Sequence, residues 1–275
     1  VTQVRLLTLR QESTRTPRWG FARPRRIGPD SVTWPRMTIE RIREAREMAP
    51  RWTDRYPHLG AKMRDFYEGK EFGGRCGYGK TPAILVVDLF RAETDKTGES
   101  PIGSNLDEAV ENTNRILRVA RRMKPKPPII FTTVCFNAAM TDVSPALVRK
   151  TPLLKMLVEG SKWVELDPRI DAERQPDEPL IVKKKNSCFW GTPLTEILVG
   201  NGVDTLIVTG CTIDTCVRAT CIGSMDLGLN TIVPFEAVGS RDFEAAGYGL
   251  FDIDLKYGDV VSTEEVIQYL EELPR

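Results

Sequence analysis

Short apolar runs alternate with amphipathic segments over most of this chain. The continuous runs predict strands buried on both faces, at positions 83–87, 128–134, 180–182, 205–209 and 229–233. Apolar residues at helical spacing predict helices at positions 106–123 and 193–199, after Cys216, and at 263–273. Because strands and helices alternate with short links, we expect right-handed βαβ units, and therefore a three-layer α/β/α fold with a mainly parallel sheet.

The first 79 residues lack this alternation. Residues 37–79 are predicted to be an N-terminal helical arm over a domain at 80–275, since Thr38 can cap a helix and aromatic residues and a glycine cluster follow. Residues 1–36 carry eight arginines, two acidic residues and no apolar periodicity, so we expect a disordered basic extension. Three interpretations fit it: a targeting or interaction tail, an arm that docks on a neighbouring subunit, or, as we favour, sequence translated ahead of a natural start at Met37.

The charge of the whole chain is nearly balanced. Its 275 residues include 39 basic and 38 acidic side chains, so we expect no nucleic-acid partner. No window of about 18 apolar residues exists, so no membrane span is expected either. The six cysteines lie in a long chain without the features of a signal peptide, which is typical of reduced thiols in a cytoplasmic protein.

The chain holds one histidine, His58, which limits the chemistry open to it. His58 stands in a polar stretch far from the cysteines at 211–221, and we expect an exposed turn residue. A histidine-rich metal site is impossible with one histidine. We therefore expect no catalytic metal and no cofactor.

Three chemically capable side chains fall where predicted strands end. Asp88 and Lys183 directly follow the runs at 83–87 and 180–182, and Cys216 follows the run at 205–209 through a short loop. Sites in parallel sheets form beyond the carboxyl ends of strands, so we expect the three to converge. A carboxylate can accept the thiol proton and a lysine can stabilise both anions. The alternatives are a helix-capping Asp88, a solvated Lys183 in a run of three lysines, and a buried apolar Cys216.

The position predicted for Cys216 adds to this interpretation. The apolar run, a turn at Gly210 and the following helical pattern place the thiol at the start of a helix. Unpaired N–H groups and the partial positive charge there favour the thiolate over the thiol. The same N–H groups can receive the oxyanion of a tetrahedral intermediate.

An ordered set of motifs resembles the isochorismatase-like cysteine hydrolases, and most closely their N-carbamoylsarcosine amidase group. The motifs are GYGKTPAILVVDL around Asp88, IGSNLDEAVENTNRIL, IIFTTV, KKKNSCFWGTPL from Lys183, DTLIVTGCTIDTCVRAT around Cys216, and LFDIDLKYGDVVS. The resemblance runs from about Gly77 to the C-terminus and implies the isochorismatase-like hydrolase fold.

The resemblance also implies roles for individual residues. Asp88, Lys183 and Cys216 correspond to an Asp, Lys and Cys that act together on a small-molecule C–N bond and release ammonia through a Cys-bound acyl or carbamoyl intermediate. A cis peptide at Cys211–Thr212 would turn the backbone N–H groups of Thr212 and Cys216 toward the substrate oxygen. A homodimer or homotetramer is implied as well.

The chain departs from the family pattern beside the expected pocket. Ile213 stands where a Thr is usual, and Cys188 and Trp190 replace typical residues of the S-x-F segment. With Phe189, these side chains are predicted to line the pocket. Lys184, Lys185 and Arg241 are candidates for binding a substrate carboxylate. Maleamate, biuret or another small substrate, and a catalytically silent relative that binds a ligand, are the alternatives to an N-carbamoylsarcosine amidase-like activity.

Overall fold

The computed structural model describes residues 50–67, 69–171 and 174–273. The predicted basic extension at 1–36 and the helix predicted from Thr38 lie outside these residues. In the described part, seven strands alternate with helices. The strands are β1 (Pro82–Val87), β2 (Ile129–Val134), β3 (Leu180–Lys183), β4 (Thr205–Cys211), β5 (Asn230–Pro234), β6 (Val238–Gly239) and β7 (Asp259–Val261).

Ten α-helices accompany these strands in the residues described. They are α1 (Trp52–Arg55), α2 (Pro57–Tyr67), α3 (Arg91–Thr94), α4 (Asp107–Arg122), α5 (Pro145–Lys150), α6 (Pro168–Asp171), α7 (Leu194–Gly200), α8 (Arg218–Asp226), α9 (Phe243–Lys256) and α10 (Thr263–Glu272). A π-helical turn, Ile213–Val217, separates β4 from α8. Short 3₁₀ helices lie at Pro152–Met156, Lys162–Val164 and Phe235–Ala237.

The sheet has the order β3-β2-β1-β4-β5-β7, with β6 beside the end of β4, and every pair is parallel. Successive residues of β1 enter different cores: Leu85 belongs to a cluster with α7 and α9, and Ile84 and Val86 to a cluster with α4 and α10. Burial of both faces explains the continuous apolar runs. The predicted three-layer α/β/α fold with a parallel sheet is confirmed.

Helix α9 and the short strands β6 and β7 were not predicted. Helix α9 has apolar residues on several sides and two glycines in its interior, so its periodicity is weak. A Cβ on Gly247 would lie 2.5 Å from Tyr56 Cδ1, and a Cβ on Gly249 would lie 2.7 Å from Ile213 Cγ2. The glycines therefore let α9 approach both the N-terminal segment and the turn that carries Cys216.

The described part of the N-terminal segment packs on the same domain. Trp52 and Tyr56 are 3% and 4% exposed. The indole Nε1 of Trp52 donates to Asp254 at 3.0 Å, and the ring of Tyr56 lies 4.5 Å from that of Phe243. Aromatic burial of this kind is a large contribution to core stability.

A buried ion pair anchors the chain just before β3. The Glu178 carboxylate is fully buried and accepts from Arg121 Nε and Nη2 at 2.9 and 2.8 Å. Glu178→Ala is expected to lower the free energy of unfolding by about 3–5 kcal/mol, because the guanidinium stays buried without its carboxylate. Denaturant unfolding measures this loss.

The neighbouring Asp177 offers a matched control. It is 66% exposed and pairs with Lys126, which also contacts Glu178. Asp177→Asn should change the free energy of unfolding far less than Glu178→Ala does, since exposed ion pairs contribute little. Equal losses in the two variants would contradict the assignment of stability to the buried pair.

Candidate active site

Asp88 is the first residue after β1 and lies at the carboxyl edge of the sheet. It is 1% exposed, and its φ of 51° is a left-handed conformation that Asp tolerates better than most residues. This backbone turn ends the strand, and the carboxylate contacts Thr132 of β2 and Lys183 of β3. The predicted position of Asp88 at a strand end is therefore observed.

Thr132 of β2 holds this carboxylate in place, a contact that the sequence prediction missed. Its Oγ1 accepts from the Asp88 amide at 3.1 Å and donates to Asp88 Oδ1 at 2.7 Å. Oδ1 is thereby engaged, and Oδ2 is the oxygen that faces Lys183. A threonine in an apolar strand carries no local signal of such a role.

Lys183 ends β3 and points its ammonium into the site. Alternate residues of this edge strand are buried, so Ile181 and Lys183 share the inner face. The Nζ atom lies 2.7 Å from Asp88 Oδ2 and 3.3 Å from Cys216 Sγ, and it donates to the Lys185 carbonyl at 2.9 Å. The ammonium thus contacts a carboxylate, a thiol and a backbone carbonyl at once.

Cys216, predicted at the start of a helix, lies in the π-helical turn that leads directly into α8. Helix α8 begins two residues later, at Arg218. The cause is the geometry of the turn, in which the Val217 amide donates to the Thr212 carbonyl at 3.1 Å. Thr220 Oγ1 of α8 donates to the Cys216 carbonyl at 2.7 Å and fixes the turn against the helix.

The surroundings of Cys216 favour its thiol form and so oppose the effect expected from a helix start. Burial raises the pKa of Cys216 well above its usual range, the nearby Asp88 carboxylate raises it further, and Lys183 lowers it. Burial alone would lower the pKa of Lys183, but Asp88 and Cys216 reverse this and raise it. Lys183 is thereby held as an ammonium, and the raised pKa of Cys216 favours its thiol over its thiolate.

The loop between β4 and Cys216 contains the cis peptide that the resemblance implied, at Cys211–Thr212. Thr212 is buried, and Cys211 Sγ donates to the Asp88 carbonyl at 3.0 Å. The loop is thus tied to the residue that carries the carboxylate. The oxyanion role of the Thr212 and Cys216 amides stays a prediction.

The residues predicted to line the pocket differ in their surroundings. Cys188 and Ile213 are 0% and 2% exposed and belong to the apolar core, and Phe189 packs against the same core. Trp190 is 74% exposed and borders an open cavity of about 380 Å³ together with Lys185 and Ser187. Contact of these four side chains with substrate stays a prediction.

The three candidate carboxylate-binding residues are also placed differently. Lys184 contacts Asp142 at 2.7 Å, and Lys185 is exposed. Arg241 Nη2 lies 3.2 Å from Oε1 of Glu93. The Glu93 side chain is buried, and the sequence prediction did not include it. Burial of Glu93 depends on tertiary packing around α3, and the local sequence gives no sign of it.

Two further expectations concern histidine and metals. His58 lies in α2, and not in a turn; it is exposed and close to Glu244. Within residues 50–67, 69–171 and 174–273, no group of three or more His, Cys, Asp or Glu side chains could hold a metal ion. No helix in the described residues is long and apolar enough to cross a membrane.

The parallel sheet and the buried carboxylate–ammonium–thiol cluster at its carboxyl edge define an α/β/α protein with a cysteine-containing polar site. The family model described as Isochorismatase domain matches residues 82–265. The chain therefore belongs to the isochorismatase family.

Curated relatives extend this assignment. The chain is 33% identical to a maleamate amidohydrolase of Pseudomonas putida over 76% of this chain and 96% of that protein. It is 35% identical to an N-carbamoylsarcosine amidase of an Arthrobacter species, over 76% of this chain and 78% of the relative. Both relatives are amidohydrolases by name, and they support the prediction of a hydrolase acting on non-peptide C–N bonds.

Solved structures agree on the fold. A cysteine hydrolase from Pseudomonas syringae superposes with a TM-score of 0.68 at 20% identity, covering 75% of this chain and all of that one. An N-carbamoylsarcosine amidase from Thermoplasma acidophilum has a TM-score of 0.53 at 21% identity, covering 67% of this chain and 97% of that one.

Proposed function

We propose that this protein is a cysteine-dependent amidohydrolase that releases ammonia from a small amide or N-carbamoyl compound. The observation that carries the proposal is the Lys183 ammonium, which contacts the Asp88 carboxylate at 2.7 Å and the Cys216 sulfur at 3.3 Å. A carboxylate base and a half-buried thiol, both in contact with one cation, are the parts that nucleophilic catalysis needs.

The first half of the reaction uses Asp88 as the base. Its Oδ2 takes the proton of the Cys216 thiol while the sulfur bonds to the carbonyl carbon of the substrate. Lys183 stabilises the sulfur as negative charge develops there. The C–N bond then breaks, Asp88 returns its proton to the leaving nitrogen, and ammonia departs.

The second half frees the enzyme. Water adds to the acyl or carbamoyl carbon on Cys216, and Asp88 accepts a proton from that water. The C–S bond breaks, the acid product leaves, and the sulfur regains its proton. Amides of Thr212 and Cys216 would hold the oxyanion in both halves, and each such donor typically contributes about 10²–10³ in rate.

The substrate proposal rests on the relatives. The names maleamate and N-carbamoylsarcosine both denote small molecules with an amide-type nitrogen and a carboxylate. An N-carbamoylsarcosine amidase-like activity is the first candidate, followed by maleamate, biuret and other small amides. Ile213, Cys188 and Trp190 depart from the family pattern, and they favour a pocket whose shape differs from that of a typical N-carbamoylsarcosine amidase.

Ammonia release over a panel of N-carbamoyl amino acids, maleamate, biuret and simple amides tests the proposal. We expect ammonia from at least one compound, and Cys216→Ala should lower the rate by at least about a thousandfold because the nucleophile is gone. A Cys216→Ala protein with unchanged turnover would refute the mechanism.

Alkylation with iodoacetamide separates a missed substrate from a silent, ligand-binding relative. In an active site, panel compounds that bind should slow alkylation of Cys216 and leave the exposed Cys76 unaffected. No ammonia from any panel compound, together with no protection of Cys216 from alkylation, would favour a catalytically silent relative that binds another ligand. Protection without turnover would point to a substrate outside the panel.

We also propose a cytoplasmic enzyme that forms a homodimer or homotetramer. Six free cysteines support a reducing compartment. Exposed aromatic side chains on α9, Phe243 at 59% and Tyr248 at 50%, supply apolar area for contact with a second copy. Light scattering on the purified full chain measures the mass, and a monomer at every concentration would exclude the oligomer.

A further inference from the structure

A second buried carboxyl group lies beside the catalytic residues and takes no part in the mechanism above. Glu93 is in α3, five residues after Asp88, and its side chain is 12% exposed. Its Oε1 lies 3.2 Å from Arg241 Nη2. Its Oε2 is buried and makes no hydrogen bond to any residue that the structure describes. A buried oxygen in this state is costly unless a ligand or a proton satisfies it.

Arg241 reaches this position because β6 pairs with the end of β4. The register Cys211↔Gly239 places Ser240 and Arg241 alongside the loop that leads to Cys216. Ser240 Oγ donates to Asp214 in the π-helical turn, which ties the two segments together. The Arg241 guanidinium is 40% exposed, so a ligand can reach it from solvent.

The charges around Glu93 come from four elements. Arg241 after β6 and Lys183 of β3 are cations, and Asp88 after β1 and Asp214 of the π-helical turn are anions. Burial, and after it the Glu93 carboxylate, raise the pKa of the Cys211 thiol at the end of β4. Burial raises the pKa of Glu93 to about 7; Arg241 and Lys183 oppose the rise, and Asp88 and Asp214 add to it.

With Glu93 ionised, two ion pairs, Asp88–Lys183 and Glu93–Arg241, leave Asp214 as the unbalanced charge of this group. A substrate carboxylate entering beside Arg241 would then meet an arginine that is already neutralised, together with the unbalanced charge of Asp214. A neutral amide or urea has no such repulsion. Protonation of Glu93 removes one anion and leaves the guanidinium available to pair with a carboxylate.

We propose that Glu93 is an internal competitor for Arg241, and that its protonation decides whether the site admits carboxylate-bearing substrates or only neutral amides and ureas. Glu93 is a specificity-determining residue in this scheme and touches no reacting atom. The proposal rests on the proposed function for the location of the substrate. It predicts that a carboxylate ligand enters together with a proton, whereas a neutral ligand enters alone.

Binding in the Cys216→Ala protein tests this without requiring turnover. Titration calorimetry with N-carbamoylglycine at pH 8, in two buffers of different ionisation enthalpy, should show uptake of about one proton per ligand bound. The neutral N-carbamoylglycinamide should bind with no uptake. The affinity for N-carbamoylglycine should fall by up to about tenfold per pH unit above pH 7, while that for the neutral amide stays constant.

Glu93→Gln in the same background should abolish both the proton uptake and the pH dependence, and should bind N-carbamoylglycine several-fold more tightly at pH 8. Arg241→Gln should weaken binding of N-carbamoylglycine alone. Glu99→Gln changes an exposed glutamate of the same segment that pairs with Lys162, and it should leave proton uptake unchanged.

Two results would overturn the proposal. One is proton uptake that persists in Glu93→Gln, or weaker binding of N-carbamoylglycine by that variant. Weaker binding would mean that Glu93 positions the Arg241 side chain for the ligand and does not compete with it. The other is no binding of N-carbamoylglycine at pH 6, where Glu93 is largely protonated. Because these are binding measurements, they stand apart from the ammonia assay, whose failure would instead bear on the proposed hydrolysis.

Discussion

The double variant Asp88→Asn, Lys183→Met is expected to fold nearly as stably as the wild type and to have no detectable turnover. Both side chains are almost fully buried and face each other at 2.7 Å. Replacing a buried ion pair by neutral groups of similar size is often close to neutral for stability, because the desolvation cost of both charges disappears with them. Denaturant unfolding and the ammonia assay measure the two properties separately.

Each single variant should behave differently from the double variant. Asp88→Asn leaves the Lys183 ammonium buried without its carboxylate, and Lys183→Met leaves the Asp88 carboxylate, which still accepts from Thr132, without its cation. Each is expected to lose about 3–5 kcal/mol of unfolding free energy. Turnover should fall by at least about 10²–10⁴ in each, since the base or its charge partner is lost.

The comparison separates structural from catalytic roles. If the pair served stability alone, the double variant would recover turnover together with stability. If Asp88 is the base, recovery of stability leaves turnover absent. A double variant that is stable and active would therefore contradict the mechanism, and one that is no more stable than the singles would contradict the electrostatic account of the pair.

The strands of the sheet were predictable because both faces of the central strands are covered. Successive residues in the middle of β1 and β4 alternate between two apolar clusters, so the sequence shows a continuous apolar run there. Edge strand β3 shows the limit of that rule. Its Leu180 and Val182 are exposed, and the alternation is what turns Lys183 inward.

The catalytic candidates were predictable for a related reason. In a parallel sheet the residues at and just beyond the carboxyl ends of the strands lie along one edge, so Asp88, Lys183 and Cys216 converge once the strands are known. Their partners were not predictable in this way. Thr132 is a strand residue like its neighbours, and Glu93 becomes buried through contacts with distant segments.

The protonation state of Cys216 shows a further limit of sequence reasoning. A helix start beside a lysine favours a thiolate by local arguments, yet burial and the adjacent carboxylate decide the outcome. Neither the degree of burial nor the distance from Asp88 is encoded in the motif itself. The raised pKa of the thiol gives more weight to the other part of the sequence prediction, in which the Asp88 carboxylate accepts the thiol proton.

Gly210→Ala is expected to lower the free energy of unfolding by more than about 4 kcal/mol, the range of the most damaging single substitutions. Gly210 pairs with Val87 in the register of β1 and β4, and a Cβ on it would lie 1.9 Å from the Val87 carbonyl oxygen. The obstacle is backbone, which cannot move aside without separating two central strands. Its φ of +104° adds strain for any residue with a side chain.

Gly228→Ala is the matched control, because Gly228 also has a positive φ, of +75°, but nothing lies within 4 Å of its Cβ position. It should lose only about 1–2 kcal/mol, the cost of the left-handed conformation. Similar losses in the two variants would mean that the β1–β4 spacing can relax. If the β1–β4 spacing cannot relax, the close contact at Gly210 also affects the geometry of the candidate active site. Asp88 and the loop to Cys216 leave the sheet directly beyond this contact, so the spacing that excludes a Cβ also sets the distance between the base and the thiol.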